Sequence, residues 1–416
     1  MRILQISYRD IAGGAEQVAL ALHKEYLRQG HESALLVGTK CTSSVPGVTG
    51  LSKGNSFWWK VVNRLLRDFE YYTGIQGTFS PLFRRWFKRN HENWDIIHCH
   101  NLHRGYFALS NLRLLANLYP VVMTLHDEWL YTGHCACTLG CEQWLHGCGN
   151  CPNLETLPPV RVDRTATNSQ ARASLLKEVN PTLVAPSRWL AQNVERSRLN
   201  MHCNVIPNGI DVNKYVPISK AVARENLGLP NKSTLLLNVV NGGLLNKFRD
   251  AETLLQALRI VRSKHNEGDV KLVVAGGYGG VPDDLRDSVI EVGKIIEGLN
   301  QYYSAADVLV HSTKSESFSL VAVEAMACGT PVVISDVGAC SEVVLDGVTG
   351  FLVKSGDPKK LAETVCAVLN GNTEEMVKAG LKRVKSNFSL EKMAERYIEL
   401  YQKCIEKRSS SLKNVQ

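Results

Sequence analysis

Two glutamates, Glu316 and Glu324, stand at either end of the run Ser317-Phe318-Ser319-Leu320-Val321-Ala322-Val323. From about Ser319 to Cys328 every residue except Glu324 is small or apolar, which reads as a helix. Gly329 and Pro331 stop it, and Val332-Val333-Ile334 begins a strand. Glu316 therefore sits just ahead of the helix and Glu324 inside it. A carboxylate in an apolar helix is costly unless something pairs with it. The helix start offers unpaired backbone N–H groups and the positive end of the helix dipole, where a phosphate can sit, and serine suits that cap. Glu324, more than a turn further in, would suit sugar hydroxyls. Together these groups outline a nucleotide-sugar site; a packed helix with a satisfied glutamate is the alternative reading.

Other residues could serve the same chemistry. Gly13-Gly14 follows the first apolar run and opens a helix, so the backbone can approach a ligand there and its N–H groups favour an anion; a plain tight turn would use the same residues. His126-Asp127 follows Val121-Val122-Met123-Thr124-Leu125 at a strand's carboxyl end, where an imidazole can donate to a sugar hydroxyl or a backbone carbonyl. His98 and His100 end the preceding strand and read either as acceptor-lining groups or as satisfied core histidines. Lys247 and Arg249 are the cations available in Asn241–Asp250 for a leaving diphosphate, whose charge must be stabilised as the glycosidic bond breaks. A surface charge pair is the other reading. No GxGxxG fingerprint is present, and the second strand ends at Val37-Gly38 without an acidic residue, which weighs against a dehydrogenase.

A second cluster has different chemistry. Cys135, Cys137, Cys141, Cys148 and Cys151 crowd one stretch, and Cys148-Gly149-Asn150-Cys151 has zinc-knuckle spacing, with glycines at the turns. The expectation is a closed, structural tetrahedral Zn²⁺ site of Cys135, Cys141, Cys148 and Cys151, with Cys137 spare or substituting. An iron–sulfur cluster and disulfides share the same residues. Between Ser56 and Asn90, basic residues alternate with aromatics in Phe57-Trp58-Trp59-Lys60 and Phe83-Arg84-Arg85-Trp86-Phe87-Lys88-Arg89. That pattern fits an amphipathic element lying on an anionic membrane that carries a lipid-linked acceptor, or an ordinary pair of amphipathic helices.

The elements that must position these groups alternate strand, turn and helix. Strands are expected at Arg2–Tyr8, Ser33–Val37, Ile96–Cys99, Val121–Leu125 and Leu183–Ala185. A second series follows at Leu235–Val240, Leu272–Ala275, Val308–His311 and Pro331–Ser335. This is an α/β chain of two doubly wound parallel sheets. The 416 residues suit two domains, divided here as 1–204 and 205–387 across the turn-rich Val205–Asp211, with 132–152 an insertion in the first. A helix over 388–408 is amphipathic, and the tail Ser409–Gln416 reads as disordered. Ligands bind at the carboxyl ends of strands in such sheets, so the reacting groups should meet between two facing sheets. Met1–Ser7 reads as a strand and not a signal peptide, and with twelve cysteines this points to a reducing, cytoplasmic setting. The net charge of +8 permits an acidic partner without implying nucleic acid.

The Glu316 to Glu324 stretch, with Asp307, Gly338, Glu342 and Gly350-Phe351-Leu352-Val353, closely resembles glycosyltransferase family 4, whose members are retaining enzymes with the GT-B fold. Pro207-Asn208-Gly209-Ile210-Asp211 and Gly13-Gly14-Ala15-Glu16 support the resemblance, which runs over nearly the full length. It implies that Glu316 contacts the donor sugar, that Glu324 holds the nucleotide ribose, and that His126 lies near the reacting carbon. Lys247 and Arg249 would face the diphosphate, and Phe318, Ser319, Leu320, Gly13 and Gly14 would border the donor. It also implies a final helix crossing back to the first domain, and catalysis without a divalent metal, the leaving phosphate taking the acceptor proton. Two departures stand out: Ser317 and Ser319 replace the usual glycines around the phenylalanine, and glycine or leucine stands at 243–244 where the family has arginine. The cysteine-rich insertion is similar to one in a branch resembling colanic-acid-type polysaccharide transferases. A UDP-sugar donor is implied by its frequency in family 4 alone, with a glycan or lipid-linked acceptor; action at the inner face of the membrane is expected from the basic and aromatic segment 56–90. A nucleotide-sugar epimerase or hydrolase, a non-catalytic binding subunit, and a zinc-dependent docking module are the other functions compatible with these residues.

Overall fold

The computed structural model describes the chain except residues 12, 43–44, 52–56, 78–79, 91–92, 104, 266–268 and 414–416. Short runs rich in Val, Ile and Leu form parallel strands, the setting in which both faces of a strand can be apolar. The chain divides into two compact units, residues 1–207 with 390–416, and residues 208–389.

In the first unit β1 (Arg2–Arg9), β2 (Glu32–Thr39), β3 (Val48–Gly50), β4 (Ile96–Cys99), β5 (Val121–Thr124), β6 (Thr182–Ala185) and β7 (Cys203–Val205) make one sheet. Its order is β3-β2-β1-β4-β5-β6-β7, with Ile3 in register with Ser33 on one side and Ile96 on the other. Strand order reverses between β1 and β4, so a crevice opens beyond the carboxyl ends of those strands. Helix α1 (Gly14–Arg28) follows β1 and buries Val18, Leu22 and Tyr26, which recur at helical spacing. The basic and aromatic segment forms two helices, α2 (Phe57–Thr73) and α3 (Pro81–Arg89); residue 56 and the side chains of 57–60 lie outside the described residues. Helices α4 (Asn111–Leu118), α5 (Thr165–Val179) and α6 (Arg188–Arg196) complete this stretch of the chain.

The second unit repeats the plan. Strands β8 (Thr234–Val239), β9 (Val270–Ala275), β10 (Val289–Val292), β11 (Val308–His311), β12 (Val332–Ser335) and β13 (Phe351–Val353) run in the order β10-β9-β8-β11-β12-β13, reversing between β8 and β11. Around them lie α7 (Lys220–Leu227), α8 (Ala251–Lys264), α9 (Leu299–Ala305), α10 (Leu320–Ala327), α11 (Cys340–Val343), α12 (Pro358–Asn370) and α13 (Glu374–Asn387).

The last helix, α14 (Leu390–Lys413), belongs to the first unit and packs on α1. Of the tail expected to be disordered, Ser409–Lys413 instead continues the helix, while residues 414–416 lie outside the described residues. Ser409, Ser410 and Ser411 donate their hydroxyls to the carbonyls of Ile405, Glu406 and Lys407 at 3.0, 3.0 and 2.9 Å. Arg408 ties the preceding turn to the carbonyls of Ala116 and Asn117. Among the described residues no helix is long and apolar enough to cross a membrane.

Candidate active site

Glu316 lies in the loop after β11, at the strand reversal of the second sheet. Its Oε2 accepts from Arg249 Nη1 at 2.5 Å and lies 3.3 Å from His311 Nε2. Arg249 Nη1 also donates to Thr313 Oγ1 at 2.7 Å and approaches His311 Nε2 at 3.2 Å. Burial alone would raise the Glu316 carboxyl, but the Arg249 guanidinium and His311 outweigh it and hold it at about 2. Burial lowers the His311 imidazole, and the Arg249 charge adds to that effect. The loop carrying Glu316 is fixed by a glycine. Gly338 has φ +57, and a Cβ there would fall 2.1 Å from the Glu316 carbonyl oxygen, which instead accepts from Ala339 N at 2.9 Å.

Helix α10 begins directly beyond. Ser319 occupies its N-cap with φ +74, in the left-handed region, and among the described residues its buried Oγ has no partner. Leu320 opens the helix, leaving the first-turn N–H groups pointing away from it. The Phe318 ring is buried and packs edge-on against Phe388 at 5.6 Å, so this residue can offer a ligand only its backbone. Glu324 lies one turn deeper, nearly fully buried, and its Oε2 accepts from Tyr303 OH at 2.7 Å. Burial raises its carboxyl despite hydrogen bonds from Tyr303 and Tyr215. No described hydrogen bond links Glu324 to the Arg249–His311–Glu316 group. Lys247 is exposed and no described hydrogen bond or ion pair ties it to that group; of the two expected cations, only Arg249 is brought to Glu316.

At the strand reversal of the first sheet the polar groups are imidazoles. His100 Nδ1 lies 3.0 Å from His126 Nε2, and His100 Nε2 lies 3.0 Å from Gln5 Oε1. Since that oxygen can only accept, His100 carries its proton on Nε2, and His126 Nε2–H donates to His100 Nδ1. Burial lowers His126 to about 4 and His98 to about 3, and pushes His100 well down, so all three are neutral. His98 is a satisfied core residue, bound to Thr124 Oγ1 at 2.7 Å and Tyr401 OH at 2.6 Å. Asp127 accepts from His103 Nε2 at 2.9 Å and from Trp129 N at 3.0 Å. Gly13 caps α1, and its N–H donates to Glu16 Oε2 at 2.9 Å, so the expected anion cradle at Gly13-Gly14 faces the helix's own carboxylate.

Sequence reasoning did not single out His311, Thr313 or His103. The signal was available for His311, which ends β11 beside the reversal much as His100 follows β4; His103 and Thr313 lie in loops with no pattern to mark them. The four cysteines expected to bind metal line one small cavity with His134.

Residues 12–214 match the family described as Glycosyltransferase Family 4, and residues 238–371 match that described as Glycosyl transferases group 1. The chain carries these two glycosyltransferase domains and is a glycosyltransferase. This glycosyltransferase is 27% identical to WcaC of Escherichia coli (strain K12), named as a colanic acid biosynthesis glycosyl transferase, over 97% of this chain and 100% of the relative. It is 33% identical to D-inositol 3-phosphate glycosyltransferase of Xylanimonas cellulosilytica, over 49% of this chain and 52% of the relative. Among solved structures, sucrose-phosphate synthase of Thermosynechococcus elongatus superposes with TM-score 0.69 at 20% identity, covering 97% of this chain and 99% of that one. HepE of Anabaena, solved with UDP and glucose, gives TM-score 0.67 at 19% identity, with 97% and 99% covered. These likenesses show the GT-B plan of two Rossmann-like domains; the roles of the individual side chains rest on the geometry above.

Proposed function

We propose that this glycosyltransferase is a retaining enzyme that moves a sugar from a UDP-sugar to a glycan or lipid-linked saccharide in surface polysaccharide synthesis. The observation that carries the reading is the Arg249–His311–Glu316 group beside the start of α10. A guanidinium, two buried polar side chains and a helix N-terminus form one anion-binding corner, with a carboxylate kept ionised in it. Arg249 and the α10 N–H groups would take the diphosphate, Glu316 would orient the sugar, and Glu324 would exchange a tyrosine partner for ribose hydroxyls. His126, neutral and protonated on Nε2, would accept a single hydrogen bond at the sugar through Nδ1. In the reaction the bond from the anomeric carbon to the phosphate oxygen breaks, its electron pair leaving with UDP. The acceptor oxygen bonds the same face of an oxocarbenium-like centre, and its proton passes to the leaving phosphate. No metal is needed for that balance. The WcaC likeness supports the polysaccharide setting, and the UDP bound to HepE supports the choice of base.

A groove of about 760 Å³ between α3 and α4 is lined by Arg84, Arg85, Lys88, Arg89, Leu114 and Leu118. Leu65, Phe69 and Tyr72 of α2 are exposed as well. We infer peripheral contact with the inner, anionic membrane face there, since cationic and apolar groups share the surface. Co-sedimentation with phosphatidylglycerol vesicles at low salt, weakened when Arg84, Arg85, Lys88 and Arg89 become Glu, is the expected result; no sedimentation would remove the contact. The donor reading is tested by incubating the protein with UDP-, GDP- and ADP-sugars and following free nucleotide. Release from a UDP-sugar that is lost in Glu324→Ala is expected. Neither release nor saturable binding with any donor would overturn it, and an inverted anomer in the product would overturn retention.

A further inference from the structure

Helix α5 carries a buried cation that nothing in the active site uses. Arg172 is nearly fully buried, with its guanidinium 4.0 Å above the Trp129 ring. Its Nη1 donates to the carbonyls of Trp129 and Thr132, and its Nη2 to the Gly133 carbonyl and Gln76 Oε1, both at 2.9 Å. Among the described residues it makes no salt bridge; burial lowers it, and the thiols of Cys135 and Cys148, with Glu70 and Asp127, oppose that through space. Immediately beyond Gly133, a cavity of about 20 Å³ is lined by His134, Cys135, Cys141, Cys148 and Cys151.

Two of those groups are already arranged as ligands. His134 Nδ1 lies 3.2 Å from the Pro158 carbonyl oxygen, which can only accept, so Nδ1 carries the proton and Nε2 keeps its lone pair. That Nε2 lies 3.4 Å from Cys151 Sγ. Zinc–nitrogen and zinc–sulfur bonds of about 2.0–2.1 and 2.3 Å put two ligands of a tetrahedral ion about 3.5 Å apart. A ligating histidine typically donates its other N–H to a carbonyl in this way. Cys148 Sγ accepts from Gly133 N at 3.1 Å, and Gly149 N and Cys151 N are tied to Thr165 Oγ1 and Asp163 Oδ2 at 2.9 and 2.7 Å, anchoring the knuckle to the start of α5.

We propose that His134, Cys141, Cys148 and Cys151 bind one thiophilic divalent cation, Zn²⁺ in the cell, as a closed structural site. This moves the fourth place from the expected Cys135 to His134. The charges agree, since a divalent ion with three thiolates and a neutral imidazole carries one negative charge, and Arg172 supplies one positive charge beside it. Among the described residues no group of three or more such side chains already converges on an ion, so binding must draw Cys141 in towards the other three. Leu139 and Gly140, both in the left-handed region, form the turn that would move.

The test is elemental analysis of the full chain, purified reduced and without chelators. One zinc per chain is expected, lost in Cys148→Ser and His134→Ala and kept in Cys135→Ser. Because a variant could misfold, the wild-type protein is also stripped with a chelator and titrated with Co²⁺. Charge-transfer absorption scaled to three thiolates, saturating at one equivalent, is expected. No stoichiometric metal with all twelve thiols free, labile sulfide with iron, or disulfides in their place would overturn the site. Zinc kept in His134→Ala but lost in Cys135→Ser would overturn the ligand set.

Discussion

The two sheets reverse strand order in the same way, yet the side chains beyond their strands have opposite electrostatics. In the first unit the groups at the reversal are neutral imidazoles, kept so by burial and by one another. In the second they are a guanidinium and a carboxylate, and the guanidinium helps keep the carboxylate ionised. A neutral imidazole offers one directed hydrogen bond and little attraction for ions, which suits a sugar hydroxyl. A charged pair at a helix start can exchange its internal partner for a phosphate oxygen, which suits the diphosphate. With similar topology, what differs is which side chains follow the strands: His100 and His126 in one, His311 and the Glu316 loop in the other.

The sharpest way to break this comparison is to remove the charge. Arg249→Met should lower nucleotide release from the donor by about 10²- to 10³-fold, as expected for loss of a group that stabilises leaving charge. It should also let the Glu316 carboxyl rise from about 2. Near-normal release would show that the charge of the second unit is not used. His126→Asn should lower kcat/KM for transfer by about 10- to 100-fold, the cost of one unmade hydrogen bond at a buried site; an unchanged value would remove the imidazole from the reaction.

Acid should separate the units. His98 and His126 are held near 3 and 4, so the unfolded chain takes up protons first. Their contribution is complete above the ordinary histidine value of about 6.5 and is lost as pH falls towards 4. The Glu316 contribution is complete above the ordinary carboxylate value and is lost only as pH falls towards about 2. All seven tryptophans lie in the first unit, so their fluorescence should change between about pH 6.5 and 4 while helical circular dichroism falls only in part. Full loss of both signals together would mean that the histidines do not set the first unit's acid limit. Smallest of all, Lys247→Ala should change nucleotide release by less than about twofold, because an exposed, unpaired lysine contributes little; a larger fall would bring it back to the diphosphate.

Much of this was legible in the sequence because burial leaves a mark there. The central strands are short apolar runs, Glu316 and Glu324 bracket an apolar helix, and glycine and proline end it. The edge strands β3, β7, β10 and β13 were not legible, since three or four residues with one neighbour need no pattern of their own. Nor were partners set by folding. Nothing in Asn241–Asp250 distinguishes Arg249 from Lys247 until the loop turns one towards Glu316 and the other to solvent. The length of α14 was hidden too, because three consecutive serines favour caps and turns unless they bond back along a helix already anchored.

That last helix has a consequence for how the protein is made. Tyr26 OH meets Tyr401 OH at 3.1 Å, and Thr124 Oγ1 meets Tyr397 OH at 2.8 Å, so residues synthesised first wait for partners synthesised after the whole of 208–389. The second unit is one uninterrupted length of chain and can complete itself on the ribosome. The first, although its sheet emerges earlier, lacks the partners of Tyr26 and His98 until α14 has been made.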